Sequence, residues 1–429
     1  MIDTQRDLVR RLLGGATTAL LVAGLVTEAQ AQPAQDAPAA SAATEDAGDD
    51  FEWRRYAVFM VGPVTLIPAI LLQAQAAPYV GPDSLFQTGD LAERPGFRLR
   101  RADFGLAGEL FERVRFAASA EVSSDEGGRI AVKDAWLGYT EVPYVQAFVG
   151  ARTVPFSAAA LLGAGGTALF DRPLVVRAMA PFNQVGATVE GVVEAGETGE
   201  ARAFEYAVGL YNGFQREDFF YRGYQENYAP FGNRFDGVAF AGRLGTQPLG
   251  AVGPTVADLE HASFRFGLGT NYFYSHGGAR DLHAAGGDAR LHVEGFDLHF
   301  EGLWSRSIPA SVPTQPTVEV ATKDSWGLTT EVGYVIVPRL FGLHTRFEWL
   351  DPDVVVANED DAWLLTAGAS VELFDRLLKL QAEYTHRQER AGLSLANDSV
   401  ALQFQFELAG LGDIEAARKA REQEAKTAR

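Results

Sequence analysis

From about residue 95 to residue 408, apolar side chains return at every second position, and this constrains the chain more than any other feature. In 113–122 one face carries Val114, Phe116, Ala118, Ala120 and Val122, and the other carries Arg113, Arg115, Ser119 and Glu121. In 263–274 the apolar face is Phe264, Phe266, Leu268, Thr270, Tyr272 and Tyr274, opposite Arg265 and Asn271. In 400–408 Val400, Leu402, Phe404, Phe406 and Leu408 alternate with Gln403, Gln405 and Glu407. A period of two is that of a strand with one apolar and one polar face.

Sixteen such stretches can be counted: 64–79, 95–109, 113–124, 129–140, 145–153, 183–192, 202–211, 235–246, 262–274, 286–294, 296–306, 323–336, 338–350, 361–373, 377–389 and 396–408. Most are long enough to cross a bilayer at a tilt, which takes about 9–11 residues. Short connections (141–144, 294–295, 337–338, 374–376) alternate with long ones (80–94, 154–182, 212–234, 307–322, 351–360). A transmembrane barrel with both termini in the periplasm has this asymmetry, with turns inside and loops outside. Two connections depart from it: 247–261 is long for a turn and 125–128 is short for a loop. Aromatics gather near strand ends, among them Tyr139, Tyr144, Tyr272, Tyr274, Trp304, Trp349 and Trp363, as in interfacial girdles. A soluble sandwich would also alternate, with the apolar face as core, but long strands with a mostly charged second face fit a water-lined barrel better.

Composition agrees. Hydrophobic residues make up 47% of the chain, yet mean hydropathy is −0.05, as expected when an apolar lipid face and a polar water face cancel. Helical membrane proteins need repeated apolar runs of about 20 residues, and there is one short run. With no Cys, a disulfide scaffold or Cys-ligated metal is excluded. The net charge of −19 argues against nucleic-acid binding.

The N-terminus has Arg6, Arg10 and Arg11, an apolar run over 12–26 and the small-x-small pattern Ala29-Gln30-Ala31. This predicts a secretory signal peptide, residues 1–31. A disordered linker is expected over 32–50 and a periplasmic lead-in or extra strand piece over 51–63, followed by the barrel, 64–408. Residues 409–429 form a charged, Ala-rich tail, read as a short periplasmic helix. Its functional reading is contact with peptidoglycan or a periplasmic partner, and the alternative is a solvated extension.

The segments GFRLRRADFGLAGEL (96–110), KDAWLGY (133–139), VGARTVPFS (149–157), FDRPLVVRAMAPFNQVGATVEG (170–191) and YAVGLYNG (206–213) follow in order. Together they resemble the phosphate-selective porin family, the porin O and porin P group. The resemblance implies an all-β, 16-stranded antiparallel transmembrane β-barrel of the bacterial outer membrane. It also implies assembly as a homotrimer, with the third external loop folded into the pore.

The longest connection, 154–182, is that third long loop. Folding it inward would bury Leu161, Leu162, Leu169 and Phe170 and narrow the lumen; the alternatives are an extracellular flap or a latch between protomers. Strand parity places Arg98, Arg100, Arg115 and Arg152 inward, with Phe97, Leu99, Val145, Ala147, Val149 and Ala151 outward. Between Leu99 and Phe104 the parity slips, which predicts a bulge and leaves Arg101 open. The parity of Lys133 and Asp134 is also open. Together with Arg172 and Arg177 of the loop, Arg98, Arg100, Arg115, Lys133 and Arg152 are the candidate constriction and selectivity residues, because guanidinium groups on a pore wall attract anions. They could instead pair with wall acids such as Glu109 and Glu121 and brace the lumen. The opposite wall offers Glu301, Glu348, Glu383 and Glu407, and the overall charge opposes anion entry.

The functional expectation is therefore a porin passing small hydrophilic solutes, among them anions such as phosphate, with membrane lipid as its surround and no cofactor, metal or catalytic residue. Two alternatives stand: a closed-lumen structural or adhesion barrel, and an outer-membrane hydrolase whose Ser, His and Asp the fold would have to gather. The seven His form no helical metal-binding pair, and His292 and His299 fall on different strands.

Overall fold

The computed structural model describes residues 58–83, 95–111, 113–122, 130–195, 201–213, 237–276, 280–309, 321–374 and 376–408. The predicted signal peptide, linker and C-terminal helix, with residues 51–57, lie outside these. Seventeen strands are formed: β1 (Phe59–Val61), β2 (Val64–Val80), β3 (Gly96–Leu110), β4 (Val114–Val122), β5 (Ile130–Tyr139), β6 (Gln146–Thr153), β7 (Asn183–Ala195), β8 (Ala201–Asn212), β9 (Val238–Gln247), β10 (Arg265–His276), β11 (Arg280–Val293), β12 (Phe296–Pro309), β13 (Lys323–Val337), β14 (Phe341–Asp351), β15 (Ala362–Leu373), β16 (Leu378–Glu389) and β17 (Ser399–Leu408). Each of β2 to β17 pairs antiparallel with its sequence neighbour, and β17 pairs with β2, so sixteen strands close into a barrel. These are the sixteen stretches that alternation predicts; β11 starts earlier than expected, at Arg280. The short β1 pairs with β2 through Phe59↔Leu66 and Val61↔Val64, on the part of β2 that β17, ending at Leu408↔Ile70, leaves open.

Burial runs opposite to that of a soluble protein. On β17, Leu402 and Phe404 are 50% and 41% exposed while Gln403 and Gln405 are 3% and 1% exposed. The same inversion recurs around the ring: Phe104, Leu137, Val149, Leu210, Leu268 and Leu343 are exposed, while Asp103, Glu121, Asn271, Asp288, Glu301 and Glu348 are buried. Apolar surface in water costs roughly 25 cal/mol per Å2, so this arrangement is stable only with lipid outside. Polar groups are tolerated within because they hydrogen-bond. Among the described residues no helix is long and apolar enough to cross a membrane; the strands do the crossing.

At the seam, Gln73 donates to Gln405 at 2.8 Å and Gln75 to Gln403 at 2.6 Å, two cross-strand pairs in register. The two-residue turn Glu294-Gly295 has φ of 49° and 87°, the doubly left-handed geometry that joins twisted strands tightly and suits glycine at its second position. Two bulges resolve the parities that the sequence leaves open. Gln73 pairs with Arg101 and Ala74 with Leu99, so Arg100 is the inserted residue and both Arg100 and Arg101 are buried. Likewise Ser119 pairs with Asp134 and Ala120 with Val132, making Lys133 the inserted residue. Ala151, expected outward, is buried.

Candidate functional site

Residues 154–182 connect β6 to β7 and contain two short helices, α1 (Ala158–Leu161) and α2 (Leu174–Met179). Val154, Phe156, Leu169, Val175, Val176 and Met179 are almost wholly buried. Of the four residues expected to be buried, Leu162, Leu169 and Phe170 are, but Leu161 is 43% exposed. It is the last residue of α1, whose buried side is formed by Ala158 and Ala160.

The segment is hydrogen-bonded to the polar face of strands far away in sequence. Ser157 caps α1, accepting from the Ala160 amide, and donates to Glu301 at 3.0 Å. Glu301 also accepts from the amides of Ala158 and Ala159, both at 3.2 Å. Glu348 accepts from Val175 N at 3.1 Å and from Arg346 Nε at 2.9 Å, and Glu383 accepts from Phe170 N. Lys379 donates to the carbonyls of Gly165 (3.2 Å) and Thr167 (3.0 Å), Gln381 to Ala168 O (2.7 Å) and Gln405 to Gly165 O (3.2 Å). Arg243 donates to Phe156 O at 3.2 Å. An irregular segment buried this deeply needs partners for its backbone groups, and the wall strands supply them. Glu301, Glu348 and Glu383, which the sequence shows only as acids on the far wall, thus hold loop backbone.

Asp171 is the charged centre of the segment. Arg100 on β3 approaches its carboxylate at 2.5 Å through Nη2 and donates from Nε at 2.7 Å. Arg177 lies 3.8 Å away, and Arg346 donates to the Asp171 carbonyl at 2.8 Å. Burial alone would raise the Asp171 carboxyl, but Arg100, Arg101 and Arg172 outweigh it and hold the group below its ordinary range.

The other predicted positions divide by partner. Arg172 donates to the carbonyls of Ala159 (3.0 Å) and Leu162 (2.5 Å) and lies over the Phe182 ring, so it braces the loop internally. On β3 to β7, Arg101 pairs with Glu121 (3.2 Å), Arg115 with Glu109 (3.8 Å), Lys133 with Asp103 (2.5 Å) and Arg152 with Glu190 (3.0 Å). Arg152 also sits 4.1 Å from the Phe148 ring centroid. Arg98 donates to Gln75 at 2.7 Å and is only half-buried. It lines the larger of two recesses with Arg172, Arg346 and Arg387 and the acids Asp171, Glu348 and Glu383. The second recess, bordered by Val256, contains Arg172, Arg290 and His299 with Asp171, Asp288, Glu301 and Glu331. The fold thus gathers Arg98, Arg100, Arg172 and Arg177 around one segment and leaves Arg115, Lys133 and Arg152 in wall pairs. Sequence reasoning missed Arg243, Arg346, Lys379 and Arg387; inward parity on their strands was the one available signal.

Residues 83–218 match the family model described as phosphate-selective porin O and P. Over that segment, about a third of the chain, the sequence is similar to this family of outer-membrane channels. The fold is similar to that of an anion-selective porin from Comamonas acidovorans, with a TM-score of 0.51, 10% identity, and coverage of 80% of this chain and 99% of that one. It is similar also to a high-pH structure of OprB from Pseudomonas putida, with a TM-score of 0.51, 9% identity, and coverage of 81% and 94%. No curated protein matches.

The bracing role of Arg172 in the barrel is open to a direct check. Arg172→Met removes two hydrogen bonds from a charged donor to buried carbonyls, each worth about 1.5–3 kcal/mol. Brief proteolysis of the folded barrel is expected to cut the variant within 154–182 and spare the parent; equal resistance would contradict the role.

Proposed function

We propose that residues 154–182 fold into the lumen and narrow it, and that small hydrophilic solutes diffuse past this segment with a mild preference for anions, phosphate among them. The observation that carries the reading is the set of hydrogen bonds from the segment to Arg243, Glu301, Glu348, Lys379, Gln381 and Gln405, on five strands. These side chains share the buried polar face of their strands, which in a closed barrel is the lumen side.

The preference for anions rests on local charge. The larger recess has four arginines against three acids, and Arg98 is the half-buried one of the four. A field set by near groups outweighs a distant net charge, which salt screens beyond about 8–10 Å. The similarity to an anion-selective porin in fold is consistent with this. The same proposal includes a homotrimer, checked by the mass of the unheated protein in detergent.

The experiment is reconstitution into planar bilayers. Discrete conductance steps are expected, with a reversal potential in a KCl gradient on the chloride side of zero. Absence of steps would favour a closed lumen, and a potassium-side reversal would overturn the anion preference.

A further inference from the structure

Of the connections on the short-turn side of the barrel, 248–264 is the long one. A long connection at a barrel mouth ordinarily lies in solvent, yet Val252, Val256, Ala257 and Leu259 are buried. Val256, Ala257 and Leu259 pack with Leu162 and Ala168 of the loop and with Val335 of β13. Val335 lies at the same strand parity as the buried Ser325, Thr329 and Glu331, so it belongs to the inner face.

The segment is fixed along its length. Gln247 accepts from Val252 N at 2.7 Å, and Arg265 donates to Ala251 O at 3.1 Å. His292 on β11 donates to Val256 O at 2.8 Å. Asp258 accepts from Gly295 N at 2.8 Å and Ala262 N at 3.0 Å. Arg339 N donates to Leu259 O at 3.0 Å. At its tip it meets the loop that enters from the other end: Val256 N donates to Gly166 O at 3.0 Å. The approach is close enough that a Cβ on Gly166 would lie 2.6 Å from Pro254 O.

We infer that residues 248–264 are a sill: a second inward fold, from the periplasmic end, that docks under the 154–182 loop and sets the solute size limit together with it. This rests on the porin reading of the lumen. Two narrowings in series, one from each mouth, leave the acid-rich recess between them. A solute that clears the arginine-rich outer recess must still pass the edge formed by Gly253, Pro254 and Thr255. Anchors at both ends and a hydrogen bond at the tip keep that edge fixed, as a size limit requires.

Two variants test this in bilayers beside the parent. The first replaces 252–259 by two glycines. If it inserts as a heat-resistant barrel, its single-channel conductance is expected to rise at least about twofold, with passage of larger neutral sugars. The second is Pro254→Cys, which keeps the anchors; Pro254 is exposed and the chain has no other cysteine. Modification by a sulfonatoethyl thiosulfonate is expected to cut conductance by about a third or more. Should the first variant fail to fold, the second decides. Unchanged conductance on confirmed modification, or in a folded shortened barrel, overturns the sill while leaving the porin intact. A parent that passes no current overturns the porin reading instead.

Discussion

Asp171→Asn is expected to raise single-channel conductance more than about twofold while the barrel remains heat-resistant. The substitution keeps the shape of the side chain and removes the charge that faces Arg100, a guanidinium 3% exposed. Withdrawing one member of a buried ion pair costs on the order of 3–5 kcal/mol, because the other is left without its counter-charge. The strands are bound by ladders the substitution does not touch, so the cost falls on the loop's seating. Acid is expected to act on the same pair. The Asp171 carboxyl is held below its ordinary range, so its contribution is complete at neutral pH and persists through pH values near 4. It is lost only as pH falls through the lowered folded value. The parent therefore shows an acid-induced conductance step that Asp171→Asn lacks. A folded variant with parental conductance would mean that the pair does not hold the loop.

Arg98→Glu is expected to move the reversal potential towards cations. Arg98 is the half-buried arginine of the larger recess, and its acceptor, Gln75, is itself linked to Gln403. The change alters the local charge by two. At about 5 Å in a wet lumen this is worth roughly 1–2 kcal/mol for a passing monovalent ion, or about tenfold in the anion-to-cation permeability ratio. The measurement is the reversal potential in a KCl gradient. Arg98→Gln should give about half the shift. An unaltered potential in both would place the ion path away from Arg98.

The fold was legible because alternation reports directly which face a side chain occupies. It recovers all sixteen barrel strands, and the parity slip before Phe104 corresponds to the bulge at Arg100. What alternation cannot report is the partner. Glu301 and Glu383 look like pore-lining charge in sequence, whereas their oxygens are engaged by amides of a segment more than a hundred residues away. Arg172 looks like a selectivity residue and is spent on carbonyls of its own loop. Nor does the length of 247–261 say in which direction the chain turns. That depends on Asp258 meeting Gly295 and on Val335 offering an apolar spot on an otherwise polar wall.

The seam has a consequence for how the protein is made. Gln73 and Gln405 lie 332 residues apart, so the ring is shut by a pairing between the first and last strands of the barrel. Until β17 reaches β2, a growing sheet presents two bare edges, each a template for any other extended strand. The polar face completes its hydrogen bonds to the 154–182 loop only when Lys379 and Gln381 of β16 and Gln405 of β17 have arrived. Closure is therefore late, and the chain must be kept apart from its copies until its last strand is in place. Substitutions at these glutamines should accordingly show in the yield of inserted protein before they show in the current it carries.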